Sequence, residues 1–268
     1  MGSLTKDGIM RDKKPDTEIT DKIMYFEEEA QTYDEKRSQK MRLWWGKEVE
    51  IVSNLCGNIK EKQVLEIGVG TGRFSIELAK KGANITSLDP AKAMLMVTKE
   101  KTTQSGVTDK ISLLRAVGHN LPFKNSSFDA IVCMHVLKHL STYKDVLQEM
   151  ERVTKQEGFI ILNFPNALSF YLPVAIYSEI LRTFRKHVYF GFFTKRGVRK
   201  ALESSGFTVE KVRGFILLHP SFFPQNVHNL LNRIEQSIPS WFSQNFFGFL
   251  IIKARKGERP AIPSKMTV

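Results

Sequence analysis

Cysteine is scarce in this chain. Two residues in 268, Cys56 and Cys133, cannot build a disulfide framework, which excludes the small cross-linked secreted scaffolds. Cys133 falls in a predicted core strand, so an inert buried thiol in a reducing, cytoplasmic compartment is expected. Long apolar runs are missing too: no stretch reaches the ~18 residues of a membrane span. The first residues, with Lys6, Asp7, Arg11 and Asp12, show no apolar segment of the kind a secretory signal needs. Gly2 has the place of a myristoylation acceptor, but position 6 is Lys where that motif takes Ser or Thr. Acidic residues are sparse in the C-terminal part. Residues 158–268 carry 15 Lys/Arg against 5 Asp/Glu, whereas residues 1–157 carry 25 against 23, so most of the net charge of +12 lies there. The same part holds 19 of the 28 aromatic residues. Basic and aromatic together fit contact with a membrane surface or nucleic acid; a solvated basic face over an ordinary aromatic core is the plain alternative.

What is present centres on Val64-Leu65-Glu66-Ile67-Gly68-Val69-Gly70-Thr71-Gly72. Val64 to Ile67 reads as a strand buried on both faces. Three alternate glycines follow, and Phe74 to Lys81 then reads as a helix. A strand that turns through glycines into a helix lets backbone approach a ligand and aims N–H groups at it. The next strand ends in Asp89, 21 residues after Gly68, where a doubly wound sheet places the carboxylate that accepts from a ribose diol. Glycine spacing here is G-x-G-x-G, not the G-x-G-x-x-G of dinucleotide folds, which argues against a nicotinamide dehydrogenase.

With Glu66 in front, this segment resembles the first motif, E/D-x-G-x-G-x-G, of class I S-adenosylmethionine-dependent methyltransferases. Leu121-Pro122-Phe123 and Phe128-Asp129 resemble the family's "LPF…FD" segment, and Thr194 to Phe207 its "T…G…LL…GF" helix. The likeness covers roughly residues 60–165 and 194–255 and is nearest to the small-molecule branch that includes ubiquinone-biosynthesis methyltransferases. It implies S-adenosyl-L-methionine as cofactor. It also implies a Rossmann-like α/β fold: a doubly wound, seven-stranded, mainly parallel sheet with an antiparallel last strand.

The chain's own pattern agrees with alternation of strand and helix. Strands are predicted at 63–68, 84–89, 111–116, 128–134 and 158–163, with helices at 72–81, 91–105 and 142–154. Phe207 to Leu218 and Phe246 to Arg255 suit the last two strands. Residues 1–18 read as a flexible tail, 19–60 as a helical cap, 61–256 as the methyltransferase domain and 257–268 as a second tail. Two apolar, aromatic insertions at about 165–193 and 219–243 read as helical lids over an apolar substrate, with membrane-surface contact as a further expectation. Asn163-Phe164-Pro165-Asn166 reads as a loop lining the site.

The resemblance implies roles residue by residue. Glu66 falls near the cofactor's methionyl ammonium, Gly68, Gly70 and Gly72 under its ribose and amino-acid part, and Asp89 at the ribose hydroxyls. Ala91 and Met94 line the adenine pocket, with Val117 where the family often has an acid, His119 against the adenine face, and Met134 and Tyr33 beside the cofactor. After the fourth strand the ubiquinone-type enzymes have E-x-x-E-H with a metal site. Here His135 and Lys138 replace both glutamates, and no metal is carried over. His139 and His135 are the candidate bases, His139 first, because imidazole takes a proton near neutral pH. These residues point to methyl transfer onto a small, lipophilic acceptor, most simply at oxygen. An RNA methyltransferase would account for the basic C-terminal part, but no appended RNA-binding motif is visible. A methyltransferase-like module that binds without turnover is the other alternative.

Overall fold

The computed structural model describes residues 15–170, 172, 191–215 and 237–257. Most of both predicted lids (173–190 and 216–236) and both terminal tails up to residue 14 and from 258 lie outside the described residues. Helices α1 (Pro15–Glu29) and α2 (Tyr33–Cys56) form the N-terminal cap, so helix begins at Pro15, inside the stretch read as a flexible tail up to residue 18. The domain then runs β1 (Gln63–Ile67), α3 (Arg73–Lys80), β2 (Asn84–Leu88), α4 (Lys92–Gln104), β3 (Ile111–Leu114), β4 (Phe128–Cys133), α5 (Tyr143–Val153) and β5 (Thr154–Pro165). It closes with α6 (Lys195–Ser204), β6 (Phe207–Phe215), α7 (Ser240–Phe246) and β7 (Phe249–Lys256).

The seven strands lie in the order β3-β2-β1-β4-β5-β7-β6. β7 runs antiparallel to both its neighbours, and the other pairs are parallel. Strand order reverses between β1 and β4, which is where an open α/β sheet leaves a crevice beyond the carboxyl ends of its strands. Side-chain alternation splits the core in two. Leu65, Ile67, Ile131 and Cys133 face α5 and α6, while Val64, Ala130 and Val132 face α2 and α3. Each aliphatic side chain withdrawn from water contributes ~1.5–3 kcal/mol, and these are almost fully buried. Glu66 shares the α3 face with Val64, so the alternation that buries the strand buries a carboxyl group with it.

Two expectations change. Asn163, Phe164 and Pro165 are the last residues of β5 and not a loop, because each pairs with β7 through Ile251, Leu250 and Phe249. Phe246 closes a short helix, and the last strand begins only at Phe249. That helix lies against β6: an added Cβ at Gly214 would fall 1.9 Å from the Ser243 carbonyl oxygen. Cys56 and Cys133 are buried free thiols, and burial pushes both pKa values up.

Gly214→Ala is expected to push α7 off the sheet, since backbone and not a flexible side chain fills the space, and to cost ~1–3 kcal/mol. Urea denaturation measures the loss, and amide exchange across 240–246 should rise with it.

Candidate active site

A cleft opens at the β1/β4 reversal. Its floor is Ile67, Gly68 and Gly70 after β1 with Leu88, Asp89 and Pro90 after β2, and Met94 of α4 closes one end. Val117, Gly118 and His119 form one wall, and Met134, His135, Val136, His139 and Leu140 form the other. The roof is the cap: Ile19, Lys22, Ile23 and Phe26 of α1, with Tyr33 at the start of α2.

The glycine loop has the conformation that its residues demand. Gly68 has φ +75°, and a Cβ there would lie 2.2 Å from Val136 Cγ2, so the walls can close only around a glycine. Gly70 has φ +55° with open space where a Cβ would point. The loop is pinned from several sides. Gly68 and Val69 donate to the Leu88 carbonyl at 2.8 and 3.0 Å, and Thr98 Oγ1 donates to the Gly70 carbonyl at 2.8 Å. Asp89 Oδ2 accepts from Gly70 N at 3.0 Å and Oδ1 from Ala91 N at 2.9 Å. Burial, with Glu27 nearby, raises the Asp89 pKa to about 6 against the pull of those two N–H groups.

Glu66 does not line the cleft. Its carboxyl lies beneath the loop, accepting from Ser75 Oγ, which in turn is 2.5 Å from Ser87 Oγ. Burial raises its pKa to about 8, with Asp89 adding to the rise and Ser75 and Arg73 opposing it. Glu66 is therefore a neutral hydrogen-bonding group near neutral pH. Gly72, against Thr98, and Ala91 are not among the residues that line the cleft. Tyr33, Gly68, Gly70, Asp89, Met94, Val117, His119, Met134, His135 and His139 are all brought to it.

The cap is fastened by carboxylates. Glu27 of α1 accepts from the backbone N–H groups of Lys92 and Ala93 at 2.6 and 2.7 Å, capping α4 from another element. Asp34 accepts from Thr71 Oγ1 at 2.8 Å and pairs with Lys101. Lys22 is 6% exposed, and its Nζ lies 3.2 Å from His139 Nδ1. Phe26 meets the His139 ring edge-on at 5.9 Å. On the opposite wall His119 Nε2 is 2.8 Å from Thr142 Oγ1. The "LPF" segment is held by Arg152, which donates to the Leu121 and Phe123 carbonyls at 2.9 and 2.7 Å.

Sequence reasoning found the helical cap and Tyr33 but did not single out the residues of α1 that face the cleft. Ile19, Lys22, Ile23 and Phe26 follow i, i+3, i+4, i+7, and that spacing was the readable signal of an inward-facing stripe. Among the described residues no group of three or more His, Cys, Asp or Glu is placed to hold a metal ion.

Residues 65–162 match the model of the methyltransferase domain family. A ubiquinone biosynthesis O-methyltransferase of Rickettsia canadensis is 22% identical over 172 residues, 63% of this chain and 72% of the relative. A demethylmenaquinone methyltransferase of Bacillus velezensis is 32% identical over 144 residues, 51% of this chain and 59% of the relative. The chain thus spans between about three fifths and three quarters of these relatives' length. In fold it is similar to a SAM-dependent methyltransferase and possible histamine N-methyltransferase of Thermotoga maritima. That likeness has a TM-score of 0.65 and 22% identity, covering 87% of this chain and 99% of the other.

Glu66 gives a test of the buried neutral acid. A carboxyl group whose pKa is raised from 4.5 to about 8 by folding contributes stability at low pH that is lost as pH rises through that window. Glu66→Gln, which mimics the protonated form, should therefore keep the fold and flatten the decline. Denaturant midpoints measured across that window for both proteins give the comparison.

Proposed function

We propose that the chain is a class I S-adenosylmethionine-dependent methyltransferase, a reading that its matched domain and fold support, and that it methylates a small lipophilic acceptor at oxygen. The observation that carries this reading is the division of the cleft. One end, at Asp89 and Gly70, is polar. The other, under Ile19, Ile23, Phe26, Val136 and Leu140, is mainly apolar, with the two imidazoles His135 and His139 in its wall and the Lys22 ammonium beside His139. A substrate seated there is shielded from water by α1 and lies against groups able to take a proton. One relative is named as an O-methyltransferase of ubiquinone biosynthesis and another as a demethylmenaquinone methyltransferase, which supports a quinone-like acceptor.

The residues present fit the cofactor. The open space at Gly70 admits a ligand close to backbone, the Asp89 carboxylate is fixed by two N–H bonds at the end of β2, and Met94 and Val117 offer apolar contact for a flat base. When bound, S-adenosylmethionine supplies an electrophilic methyl group on a sulfonium. The chain's own part is to orient and dehydrate: Asp89 accepts from the ribose hydroxyls, the loop accommodates the chain beyond them, and α1 covers the acceptor. Orientation of two reactants is the main demand of an in-line displacement. His135 or His139 receives the acceptor's proton.

Asp89 must be ionised to accept from both hydroxyls. Affinity for S-adenosylhomocysteine, titrated calorimetrically, is therefore expected to fall as pH drops through about 6, and Asp89→Ala should weaken it ~10-fold or more, the loss of charge-assisted hydrogen bonds. An unchanged affinity would remove the ribose role. The acceptor class is tested with labelled methyl donor and a panel of catechols and demethylated quinols with and without an isoprenoid tail. Incorporation into the tailed compounds is the expected result.

Membrane contact has its own support. Leu168, Phe170 and Trp241 are 61, 59 and 63% exposed. Phe170 stacks on Phe246, with Phe242 alongside. Pro165 pairs with Phe249, so this patch follows the same strand ends as the cleft. Lys195 Nζ reaches Asn245 of α7 at 2.9 Å, and Arg196, Arg199 and Lys200 are exposed on the same helix α6. Exposed aromatic residues beside cations suit an anionic interface. Co-sedimentation with anionic vesicles is expected for the wild type, and Phe170→Ser with Trp241→Ser should reduce it several-fold; zwitterionic vesicles should bind neither.

A further inference from the structure

A buried ionic network behind the cleft has no place in the cofactor site. Glu48 of α2 is almost wholly buried, its side chain 2% exposed. Such a charge is tolerated only with close partners. Arg73 Nη2 donates to its Oε2 at 2.7 Å, and His135 Nε2 lies 2.7 Å from its Oε1. Burial alone would raise the Glu48 pKa, but His135 and Arg73 bring it down to about 2. An ionised carboxylate only accepts, so Nε2 of His135 carries the hydrogen and Nδ1 the lone pair. Lys138 Nζ, a donor, lies 3.3 Å from Nδ1 and agrees with this, while Asn163 Nδ2 is 3.3 Å from both ring nitrogens and from Glu48 Oε1.

The backbone is committed to the same end. His135 has φ +62°, a region that costs a non-glycine residue ~1–2 kcal/mol, and its N–H donates to Asn163 Oδ1 at 2.7 Å. Strain of this kind persists where its surroundings over-determine it. The Phe249 ring meets the imidazole edge-on at 5.6 Å. Arg73 directly follows Gly72, so the ion-pair partner of the carboxylate behind the imidazole adjoins the glycine loop. His139 likewise has its Nδ1 facing an ammonium, that of Lys22; what singles out His135 for the proposal is the Glu48 carboxylate at its Nε2.

We propose that Glu48 is a positioning residue: it fixes His135 in the Nε2–H form, leaves Nδ1 as the base for the acceptor's hydroxyl, and through Arg73 ties that base to the cofactor loop. The proposal rests on the O-methylation reading above and reverses the order of the two histidines. In the step, the acceptor O–H gives its proton to His135 Nδ1 while an oxygen lone pair forms the bond to the methyl carbon. The methyl–sulfur bond breaks with its electron pair left on sulfur. Glu48 offsets the charge of the imidazolium as a carboxylate does behind a catalytic histidine, and the proton then passes to water. The charged groups around His135 are Glu48 from α2, Arg73 from α3 and Lys138 from its own turn. Burial, Lys138 and Arg73 hold its pKa down, to about 4, against the pull of Glu48.

The test uses the full chain with 15N-labelled histidine and S-adenosylhomocysteine bound. Long-range 1H–15N spectra near neutral pH, assigned with His135→Asn, should show His135 as the Nε2–H tautomer. In Glu48→Gln its titration should move to lower pH while that of His139 stays. With a methylated acceptor in hand, Glu48→Gln should lower kcat ~10²-fold, the usual scale of general-base assistance. KM and S-adenosylhomocysteine affinity should stay near wild type, and Glu48→Asp should recover part of the rate. An Nδ1–H tautomer in the wild type, or a Glu48→Gln enzyme with unchanged titration and kcat, would overturn the proposal. If the wild type methylates no hydroxyl acceptor, the O-methylation reading fails and the base role with it, while the spectra still decide whether Glu48 orients His135.

Discussion

The cleft depends on a carboxylate that water hardly reaches. Asp89 ends β2 with each oxygen engaged by a backbone N–H, one from the glycine loop after β1 and one from the start of α4. Two neighbouring strands and two helices are thereby held in one geometry at the point where strand order reverses. Such a group is costly to bury, as its raised pKa records, and it is stable only because the N–H groups are already aimed at it. Glu66 below the loop is the complementary case: a carboxyl group kept neutral, serving as a hydrogen-bond partner to Ser75.

Around that centre the cap repeats one device. Carboxylates on α1 and α2 reach across to groups of the sheet domain: Glu27 to the α4 N-terminus, Asp34 to Thr71 and Lys101, and Glu48 to Arg73 and His135. The two cap helices are thus the roof of the apolar end and also part of its polar back wall. Docking of the cap, shape of the loop and orientation of an imidazole become linked, which is what preorganisation of a two-substrate site requires. The departures from the ubiquinone-type E-x-x-E-H pattern acquire a meaning in this setting. The residue that replaces the first glutamate, His135, is the one that Glu48 holds.

Much of this was legible in the chain itself. Val64 to Gly72 announces a buried strand, a tight turn and a helix through local chemistry alone, because only glycine takes positive φ beside a close neighbour without strain. The distance to Asp89 follows from the length of one α/β unit, and period-2 alternation assigns the two core faces. Strand ends were less accurate: Asn163 to Pro165 read as a loop because proline and asparagine are turn formers, and pairing with β7 overrode that preference.

Glu48 and Lys22 were not legible, and the reason is physical. In sequence Glu48 sits among Lys47, Val49 and Glu50 and looks like any solvated helical acid; nothing local says that its face will be closed by Arg73 and His135. Periodicity shows that a helix has an inner face, but which charge falls on it, and what opposes that charge, depends on contacts 25 and 87 residues away. The chain by itself determined the sheet, the glycine loop and the polar end of the cleft at Asp89, since those rest on backbone conformation and short-range spacing. Only the tertiary structure decided which histidine has a carboxylate behind it, because burial and ion pairing across elements exist only once the elements are packed.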